Sequence, residues 1–247
     1  LQKEYKILSS AGIPRELFNN ADIKNYFTGR EFLLGLHFTE CMQIHPAIFA
    51  ALLAATFNLQ VYENTPYVSL EESADGLVIS TNNAKIKSSK VLFATNLRPI
   101  FGMEQFFQEE SGVITASKPL PLDKIKSIWS REKLLWTVEE EYDIIYPAEN
   151  RLILELFKLK NIKEKISHYY NNNFIIDLQW GDSWTKTKDW LPIIGKVKEN
   201  IYVAIAMGDQ GIVMGCTAAR KMPMLIGDKS DGFLNLTSPR RFYESEE

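Results

Sequence analysis

Hydrophobic and polar positions follow several different periods along the chain, and these predict helices and strands in alternation. In residues 46–57, apolar side chains recur at helical spacing and predict a helix with Pro46 in its first turn. This apolar stretch is too short to cross a bilayer, so we expect a buried helix. Shorter runs with apolar or alternating character predict strands, at Leu59, at Val61 and at residues 67–70, 77–81 and 85–88.

Two continuous apolar runs, residues 91–94 and 201–206, are typical of strands that are covered on both faces. The second run leads through Gly208 and Gly211 into a helical pattern with Gly227 as its C-cap. Backbone N–H groups at a helix N-terminus have no partner within the helix, and glycine lets a ligand approach the backbone. This turn is therefore a candidate site for an anion or an electron-rich carbonyl, although many such turns carry glycine for packing alone.

The sequence between the apolar runs at 91–94 and 201–206 has a different pattern. Short β-rich runs alternate there with turn residues, which predicts an antiparallel sheet. The runs are residues 112–116, 134–138, 142–146 and 151–156. A polar helix at 161–170 and a strand at 174–180 are expected next, and the tail at 228–247 is expected to be polar and partly extended. The order is therefore α/β, an antiparallel insert, and a return to α/β.

Composition excludes several classes of function. Hydrophobic residues make up 45% and charged residues 24% of the chain, as in ordinary globular proteins. A formal charge of −3 provides no basic stripe for nucleic acid, and no segment is long enough for a membrane span. Cys41 and Cys216 lie far apart, which counts against a disulfide and favours the cytosol. His37, His45 and His168 have no metal-ligand spacing, and His45 fits a helix cap.

An ordered series of short motifs, starting near residue 40, resembles the D-amino-acid-oxidase-like superfamily of FAD-dependent flavoproteins. The motifs are Gln-Ile-His-Pro at 43–46, Ala-Thr-Asn at 94–96, Trp-Gly at 180–181, Asp-Trp-Leu-Pro-Ile-Ile-Gly at 189–195, Gly-Asp-Gln-Gly-Ile at 208–212 and Ser-Pro-Arg-Arg-Phe at 238–242. The Ala-Thr-Asn variant, with Ala-Ser-Lys-Pro-Leu at 116–120, is similar to the amine-oxidase branch that includes γ-glutamylputrescine oxidase.

The resemblance implies an α/β, FAD-binding flavoprotein fold with an inserted antiparallel-sheet substrate domain. Residues 1–96 and 181–247 would form the FAD-binding-type domain, and residues 97–180 the substrate domain. The Gly-x-Gly-x-x-Gly phosphate loop, which the family carries on its first strand, occurs nowhere in the 247 residues. The resemblance therefore implies a flavoprotein fold without its first βαβ unit, which is the N-terminal dinucleotide-binding segment.

The resemblance also implies FAD as the cofactor and assigns its contacts. The adenine would lie along Val68, the pyrophosphate and ribitol along residues 94–96, and the isoalloxazine at the helix start of residues 208–213. Reduced flavin is negative at N1 and O2, and a helix N-terminus preorganised there stabilises that charge as it forms. The predicted cofactor-binding residues are Val68, Ala94, Thr95, Asn96, Gly208, Asp209, Gln210, Gly211, Ile212 and Val213.

The activity implied by the resemblance is FAD-dependent oxidation of a C–N bond in a small amine or amino acid. No catalytic acid or base can be assigned from the sequence. The family's carboxylate-binding Arg has no counterpart between positions 180 and 189, where only Lys186 and Lys188 occur, which counts against an α-amino acid. Trp180, Trp184 and Trp190 fit core or lid aromatics better than a cage for a cationic amine.

The alternative from another class is a non-catalytic chain, either a gene remnant or a subunit that needs a partner segment to bind FAD. A thiol–disulfide reductase is disfavoured because that chemistry requires a redox cysteine pair. Loss of the first strand would leave an open sheet edge, which invites self-association. The expected partners are therefore a small-molecule amine and either a second copy of the chain or a complementing N-terminal segment.

Overall fold

The computed structural model describes residues 1–96, 101–130, 133–138, 143–157, 161–170 and 174–243. The helices are α1 (Gln2–Ser10), α2 (Asn20–Lys24), α3 (Pro46–Thr56), α4 (Leu122–Ile128), α5 (Ile162–Tyr170), α6 (Gly211–Ile226) and α7 (Gly232–Thr237). The strands are β1 (Arg15–Asn19), β2 (Leu34–Phe38), β3 (Tyr67–Ser73), β4 (Gly76–Thr81), β5 (Lys85–Ser88), β6 (Val91–Phe93), β7 (Phe107–Ser117), β8 (Leu135–Trp136), β9 (Asp143–Ala148), β10 (Arg151–Leu156), β11 (Ile176–Thr187), β12 (Ile193–Lys198) and β13 (Ile201–Ile205).

The chain divides into two compact units, each built from two separate segments. The first unit comprises Leu1–Ile44 and Ser111–Asp182, and the second comprises His45–Glu110 and Ser183–Glu247. The N-terminal segment of the first unit forms the antiparallel hairpin β1–β2. The predicted division into a FAD-binding-type domain and a substrate domain is a functional one, and it stays a prediction.

The first unit contains the antiparallel sheet that the sequence predicts, with strand order β11-β7-β10-β9-β8. Strands β9 and β10 pair along their whole length, and β10 also pairs with β7. Apolar residues of this sheet pack against α4 and α5, and their core includes Phe27, Trp129, Leu154 and Tyr170. Tyr142, at the start of one predicted strand, lies outside the described residues.

A buried polar network ties α5 to this sheet. The Asp143 side chain is only 1% exposed, and its Oδ2 accepts hydrogen bonds from Lys165 Nζ at 2.7 Å and the Tyr169 hydroxyl at 2.6 Å. The Asp143 backbone N–H donates to Thr137 Oγ1 at 3.1 Å. Because a buried carboxylate is costly unless it is paired, this network fixes how the helix lies on the sheet.

The second unit places the two continuous apolar runs in one sheet, as the sequence predicts. This sheet has the order β12-β13-β6, in which β13 runs parallel to β6 and antiparallel to β12. A separate antiparallel sheet, β3-β4-β5, follows the predicted strands closely, with a turn at residues 82–83. The fold is mixed α/β with antiparallel sheets.

Strand β6 is not covered on both faces, so that prediction is wrong for it. All five residues of β13 are buried, whereas Leu92 in the middle of β6 is 46% exposed. The physical reason is position, because β6 lies at the edge of its sheet and β13 lies in the centre. A continuous apolar run shows that a strand can be covered on both faces, but not that the covering element is present.

Helix α3 forms where it is predicted, and His45 caps it by accepting a hydrogen bond from the Ile48 N–H on Nδ1 at 3.4 Å. The expectation that the helix is buried is wrong, because none of its residues is buried and Leu52 is 59% exposed. Its sequence is apolar on every side, a pattern that is typical of helices inside large cores. It therefore presents an unusually apolar surface to solvent.

Self-association through α3 is expected when the chain is purified alone, because a contiguous apolar surface promotes association. We expect Leu52→Glu to shift the chain toward monomer in sedimentation velocity at micromolar concentration. The control is Leu33→Glu, at a leucine of the first unit that is 97% exposed and is not part of this helix. A wild-type monomer, or an equal effect of both substitutions, would contradict the prediction.

Two other local predictions are also wrong. No strand forms at Leu59 and Val61, and both side chains are exposed. The described part of the tail, residues 228–243, is mostly helical and contains no strand: it includes α7 and the 3₁₀ helix Pro239–Phe242, and residues 244–247 lie outside the described part. Asp231 caps α7 by accepting from the Leu234 N–H at 2.9 Å, and Phe242 stacks on Phe106 at 4.4 Å between ring centroids. Tertiary packing thus folds a segment that is polar in sequence.

Among the described helices, none is both long and apolar enough to span a bilayer.

Candidate functional site

A groove of about 370 Å³ opens in the second unit between the carboxyl end of β6 and the first turns of α6. Its lining is built from small and apolar side chains together with one amide side chain. The lining residues are Leu92, Ala94, Asn96, Ala204, Met207, Gly208, Gly211, Gly215, Ala218, Ala219 and Met222. The name groove is kept below for this set.

One wall of the groove is the face of the sheet that α6 only partly covers. Leu92 pairs with Tyr202 in the parallel ladder, so the two side chains lie on the same face. Tyr202 and Ala204 are buried in a cluster with Ala218 and Met222 of α6. The helix therefore covers β13, and Leu92 on the adjacent edge strand stays open on that face.

The other wall is the side of α6 that carries its smallest residues. Gly211, Gly215 and Ala219 are each four positions apart, so they form one row along the helix. A Cβ placed on Gly215 would meet nothing within 4 Å, and one placed on Gly211 would meet only Met207 Cβ at 4.0 Å. The groove is therefore open beside this row of small residues.

The turn between β13 and α6 brings a helix N-terminus to one end of the groove. Ala206 and Gly208 take φ values of 54° and 67°, and glycine makes the second of these inexpensive. The 3₁₀ helix Gly208–Gln210 leads directly into α6, and the Gln210 side chain makes no capping hydrogen bond. Gly208 and Gly211 both line the groove, which confirms that this turn opens a helix beside a cavity.

The structure brings together four of the ten predicted cofactor-binding residues. Ala94, Asn96, Gly208 and Gly211 line the groove at its turn end. The Asn96 carbonyl oxygen accepts from Thr185 Oγ1 at 3.0 Å, which holds the end of β6 in place. These four residues are called the turn end below.

The other six predicted residues do not line the groove. Val68 is 63% exposed and lies in the other sheet of this unit, at a register shift between β3 and β4. Thr95 is half-buried between two lining residues, and the rest have exposed side chains in the 3₁₀ helix Gly208–Gln210 or the first turn of α6. These are Asp209, Gln210, Ile212 and Val213.

Sequence reasoning missed most of the groove lining. The missed residues are Leu92, Ala204, Met207, Gly215, Ala218, Ala219 and Met222. A usable signal was present on the helix, where small residues recur at every fourth position from Gly211. A second signal was the period-two alternation that puts Leu92 and Ala94 on one face of β6. Neither signal shows by itself which face of α6 or of β6 is left without a packing partner.

A partly exposed ion pair between Asp189 and Arg241 joins the motif at 189–195 to the motif at 238–242. Asp189 Oδ2 accepts from Arg241 Nε at 2.8 Å, and Asp189 Oδ1 accepts from Thr187 Oγ1 at 2.6 Å. The Arg241 guanidinium also donates to the Thr237 carbonyl oxygen at 2.9 Å. Burial raises the pKa of Asp189, but the hydrogen bonds from Arg241, Thr187 and the Leu191 N–H outweigh it and lower the pKa to about 2.

This ion pair predicts a pH dependence of stability. A carboxylate whose pKa is lowered by folding stabilises the protein fully above its ordinary pKa of 3.8, and loses that effect as pH falls toward about 2. We expect the Tm of the wild type to fall more steeply over this range than that of Asp189→Asn. At pH 6 the variant should melt about 3 °C lower, a modest effect because the pair is partly exposed.

Thermal melts recorded across this pH range measure the effect. Asp209→Asn is the control, since Asp209 is an exposed carboxylate away from the ion pair. Parallel pH profiles for the wild type and Asp189→Asn would overturn the assignment.

Trp190, one of the three candidate lid or cage tryptophans, contacts a cation of the chain itself. Lys186 Nζ lies 3.8 Å from the ring centroid of Trp190 and 2.6 Å from Glu110 Oε1. One face of Trp190 is therefore occupied by an internal cation. Trp180 lies in the first unit and Trp184 in the second.

Among the residues that the structure describes, no group of three or more His, Cys, Asp or Glu could hold a metal ion.

The sequence of residues 1–222 matches the family described as FAD dependent oxidoreductase, DAO. The match spans most of the chain. This chain belongs to the DAO family. No functionally curated protein matches the sequence of this DAO-family chain significantly.

Solved structures share the fold of this DAO-family chain at low identity. The glycine oxidase from Geobacillus kaustophilus has a TM-score of 0.77 at 16% identity, over 96% of this chain and 70% of that chain. The L-proline dehydrogenase from P. horikoshii has a TM-score of 0.77 at 18% identity, over 99% and 73%. The fructosyl amine:oxygen oxidoreductase from Aspergillus fumigatus has 0.72 at 11%, over 95% and 65%. These likenesses show the flavoprotein fold, and each solved chain extends well beyond the matched part.

Proposed function

We propose that this protein, once a pyrophosphate-binding segment is present, oxidises a C–N bond of a small amine with FAD as the electron acceptor. The observation that carries the proposal is the open N-terminus of α6 at the turn end of the groove, in a chain of the DAO family. Similarity to an oxidase of glycine, a dehydrogenase of proline and an oxidoreductase of fructosyl amines supports the C–N bond as the target.

The turn end has the chemistry that the flavin ring requires. Bound FAD would supply the acceptor for the two electrons that leave the substrate. The N–H groups at Gly208 and Gly211 and the positive end of the α6 dipole would stabilise negative charge on the pyrimidine side of the ring. Glycine at these positions leaves the backbone accessible, and a Cβ on Gly208 would meet nothing within 4 Å.

The remaining contacts are proposed for residues that surround the turn end. Ala94, Thr95 and Asn96 would lie along the ribitol and pyrophosphate, where β6 ends. Residues 209, 210, 212 and 213 would contribute backbone groups, because their exposed side chains do not line the groove. Val68, at the β3 irregularity, would lie along the adenine.

The residues present fit only part of the cofactor. No Gly-x-Gly-x-x-Gly sequence occurs in the 247 residues, so no loop of this kind is available to hold the pyrophosphate. We therefore propose a fold that lacks its first βαβ unit, with residues 97–180 as the substrate domain. The alternative is a non-catalytic fragment or subunit that binds FAD only with a partner segment.

The two cysteines, which are far apart in the sequence and unpaired, support a reducing, cytosolic location.

The test is an activity assay on the completed protein. The 247-residue chain is produced together with the glycine-loop segment of a DAO-family oxidase, loaded with FAD and mixed anaerobically with primary amines, secondary amines and α-amino acids. We expect an amine to bleach the flavin absorbance, and oxygen to restore it with formation of peroxide. Flavin that is bound but bleached by none of these substrates would refute the proposal.

A matched pair of variants shows whether the turn end holds the ring. Gly211→Val projects a branched side chain into the groove and is expected to abolish flavin binding. Ile212→Val changes the next residue, which does not line the groove, and should leave binding unchanged. Both variants are tested with the glycine-loop segment present, and flavin occupancy equal to that of the wild type in both would place the ring elsewhere.

A further inference from the structure

We propose that a polar cavity beside the β12–β13 hairpin binds the phosphate group of a small phosphate monoester, with the Arg240 guanidinium as its main contact. The cavity has a volume of about 310 Å³ and lies wholly in the second unit. Residues 196–199 of the hairpin form one wall, residues 239, 240 and 243 form the other, and Met103 completes the lining. The name hairpin cavity is kept below for this set. It shares no lining residue with the groove, so it is a second site beyond the proposed function.

The hairpin wall is built on a β-bulge. The pairing of β12 with β13 shifts by one residue between Lys196 and Lys198, so Val197 is an extra residue in β12. A regular strand alternates its side chains between two faces, whereas a bulge interrupts the alternation and re-aims the side chains beside it. The four consecutive residues 196–199 therefore line the same cavity, and they bring two ammonium groups to it.

The opposite wall is the C-terminal 3₁₀ helix, which packs closely against β12. Gly195 makes this approach possible, because a Cβ at this position would collide with the ring of Pro239. Arg241 fixes the helix further through its ion pair with Asp189, 2.8 Å from Nε to Oδ2. Arg240 is therefore carried on an anchored element at the edge of the cavity that the two lysines also line.

Carboxylates of the chain hold the two lysines in place. The Lys196 ammonium lies 2.7 Å from Glu199 and 3.2 Å from Asp228, and Lys198 pairs with Glu72. These carboxylates offset the charge of both lysines, so the attraction of an anion must come from another group. An ammonium has three N–H donors, and the two carboxylates leave Lys196 one donor for a ligand.

Arg240 is the cation of the hairpin cavity whose charge no described residue offsets. Its side chain is exposed and makes no hydrogen bond or ion pair within the described part of the chain, whereas its backbone N–H donates to Ser238 Oγ at 3.2 Å. The Tyr243 hydroxyl has no hydrogen-bond partner among the described residues either. A guanidinium presents five N–H donors in a planar fork, and a phenol adds one O–H donor.

These donors match a phosphate monoester better than a carboxylate. The fork bonds two phosphate oxygens, and the third non-ester oxygen accepts from the Tyr243 hydroxyl and the remaining Lys196 donor. A carboxylate has two oxygens, and the fork would occupy both. The cavity is also larger than a phosphate needs, since one water has a share of about 30 Å³ in the liquid. Met103, which is 1% exposed, and Val197 provide an apolar surface for the carbon chain of the ester.

The experiment measures binding to the flavin-free 247-residue chain, so its failure is distinct from failure of the proposed activity. Glycerol phosphate is titrated in a calorimeter at low ionic strength, with potassium chloride of matched ionic strength as the blank. At ten times its dissociation constant, we expect the ester to raise the Tm by about 3 °C. Sedimentation with phosphatidylcholine vesicles, with and without phosphatidic acid, shows whether the phosphate of a lipid headgroup is bound instead.

Two arginine substitutions form the matched pair. Arg240→Gln removes the fork and is expected to weaken binding about tenfold or more. Arg220→Gln makes the same change of charge at an exposed residue of α6 that does not line the cavity, and should leave the affinity unchanged. Arg240→Lys retains the charge without the fork and should fall between the wild type and Arg240→Gln. Thermal melts without ligand confirm that the variants are folded.

A third substitution tests the sign of the local charges. Glu199→Gln removes a carboxylate from the cavity and releases one donor of Lys196. It is therefore expected to strengthen phosphate binding about threefold.

The proposal is supported if glycerol phosphate or the phosphatidic acid vesicles bind and the affinity falls in Arg240→Gln but not in Arg220→Gln. Binding of the vesicles alone would identify a lipid headgroup as the source of the phosphate. The proposal is overturned if neither probe binds, or if potassium chloride gives the same heat. Equal losses in the two glutamine variants of arginine would also overturn it, because net charge rather than the hairpin cavity would then attract the anion.

Discussion

Purified alone, the 247-residue chain is expected to be colourless and to bind FAD about a thousandfold more weakly than it does with the glycine-loop segment present. That loop would donate several backbone N–H bonds to a charged pyrophosphate, and each such bond contributes about 1.5–3 kcal/mol. Losing two or three of these bonds costs on the order of 4 kcal/mol, which corresponds to the thousandfold change in affinity.

The visible absorption spectrum of the purified chain and a calorimetric titration with FAD measure this effect. Addition of the loop segment in trans is expected to restore binding, and the same segment added to Gly211→Val provides the control. Stoichiometric yellow flavin in the chain alone, bleached by an amine, would contradict the prediction and would mean that the phosphates are held by other groups. Restoration in trans favours a split or truncated enzyme, whereas no restoration favours a non-catalytic remnant.

Asp143→Ala is expected to lower the free energy of unfolding by about 3 kcal/mol. The substitution removes the 2.6 Å hydrogen bond that the buried Tyr169 hydroxyl donates to Asp143 Oδ2; the same hydroxyl also lies 3.3 Å from Thr137 Oγ1. It also removes the Asp143 carboxylate from its 2.7 Å contact with the Lys165 ammonium, whose side chain is mostly buried. Removing one member of a buried pair is costly because the other member has lost its hydration without compensation.

Urea unfolding, followed by tryptophan fluorescence to which the buried Trp129 contributes, measures this loss. Asp177→Ala is the matched control, because Asp177 pairs with Arg151 at 2.6 Å in the same unit but is about one-third exposed. Its removal should cost about 1 kcal/mol or less. Asp143→Asn, which retains a hydrogen-bond acceptor, should fall between the two. Equal losses for Asp143→Ala and Asp177→Ala would show that the network does not hold α5 on the sheet.

Local pattern predicted most elements correctly because their signals are local. Helix α3 begins at Pro46 behind its His45 cap, and β5 has the bounds that the alternation predicts. The tail was mispredicted because its helices depend on distant contacts, such as Phe242 on Phe106. The candidate site was predicted only in part. Gly211 lines the groove, whereas the next residues on α6, Ile212 and Val213, do not. The turn motif alone does not show which positions of the helix face the groove.

The sequence by itself determined the order of the elements, the glycine turn that follows β13, the absence of a phosphate-loop motif within these residues, and the resemblance to the flavoprotein family. Only the tertiary structure decided which apolar surfaces are covered. Helix α3 and strand β6 are apolar enough for burial, yet Leu52 and Leu92 remain exposed. The physical reason is that hydrophobic periodicity records which faces gain free energy from burial, whereas actual burial requires a second surface at the right distance.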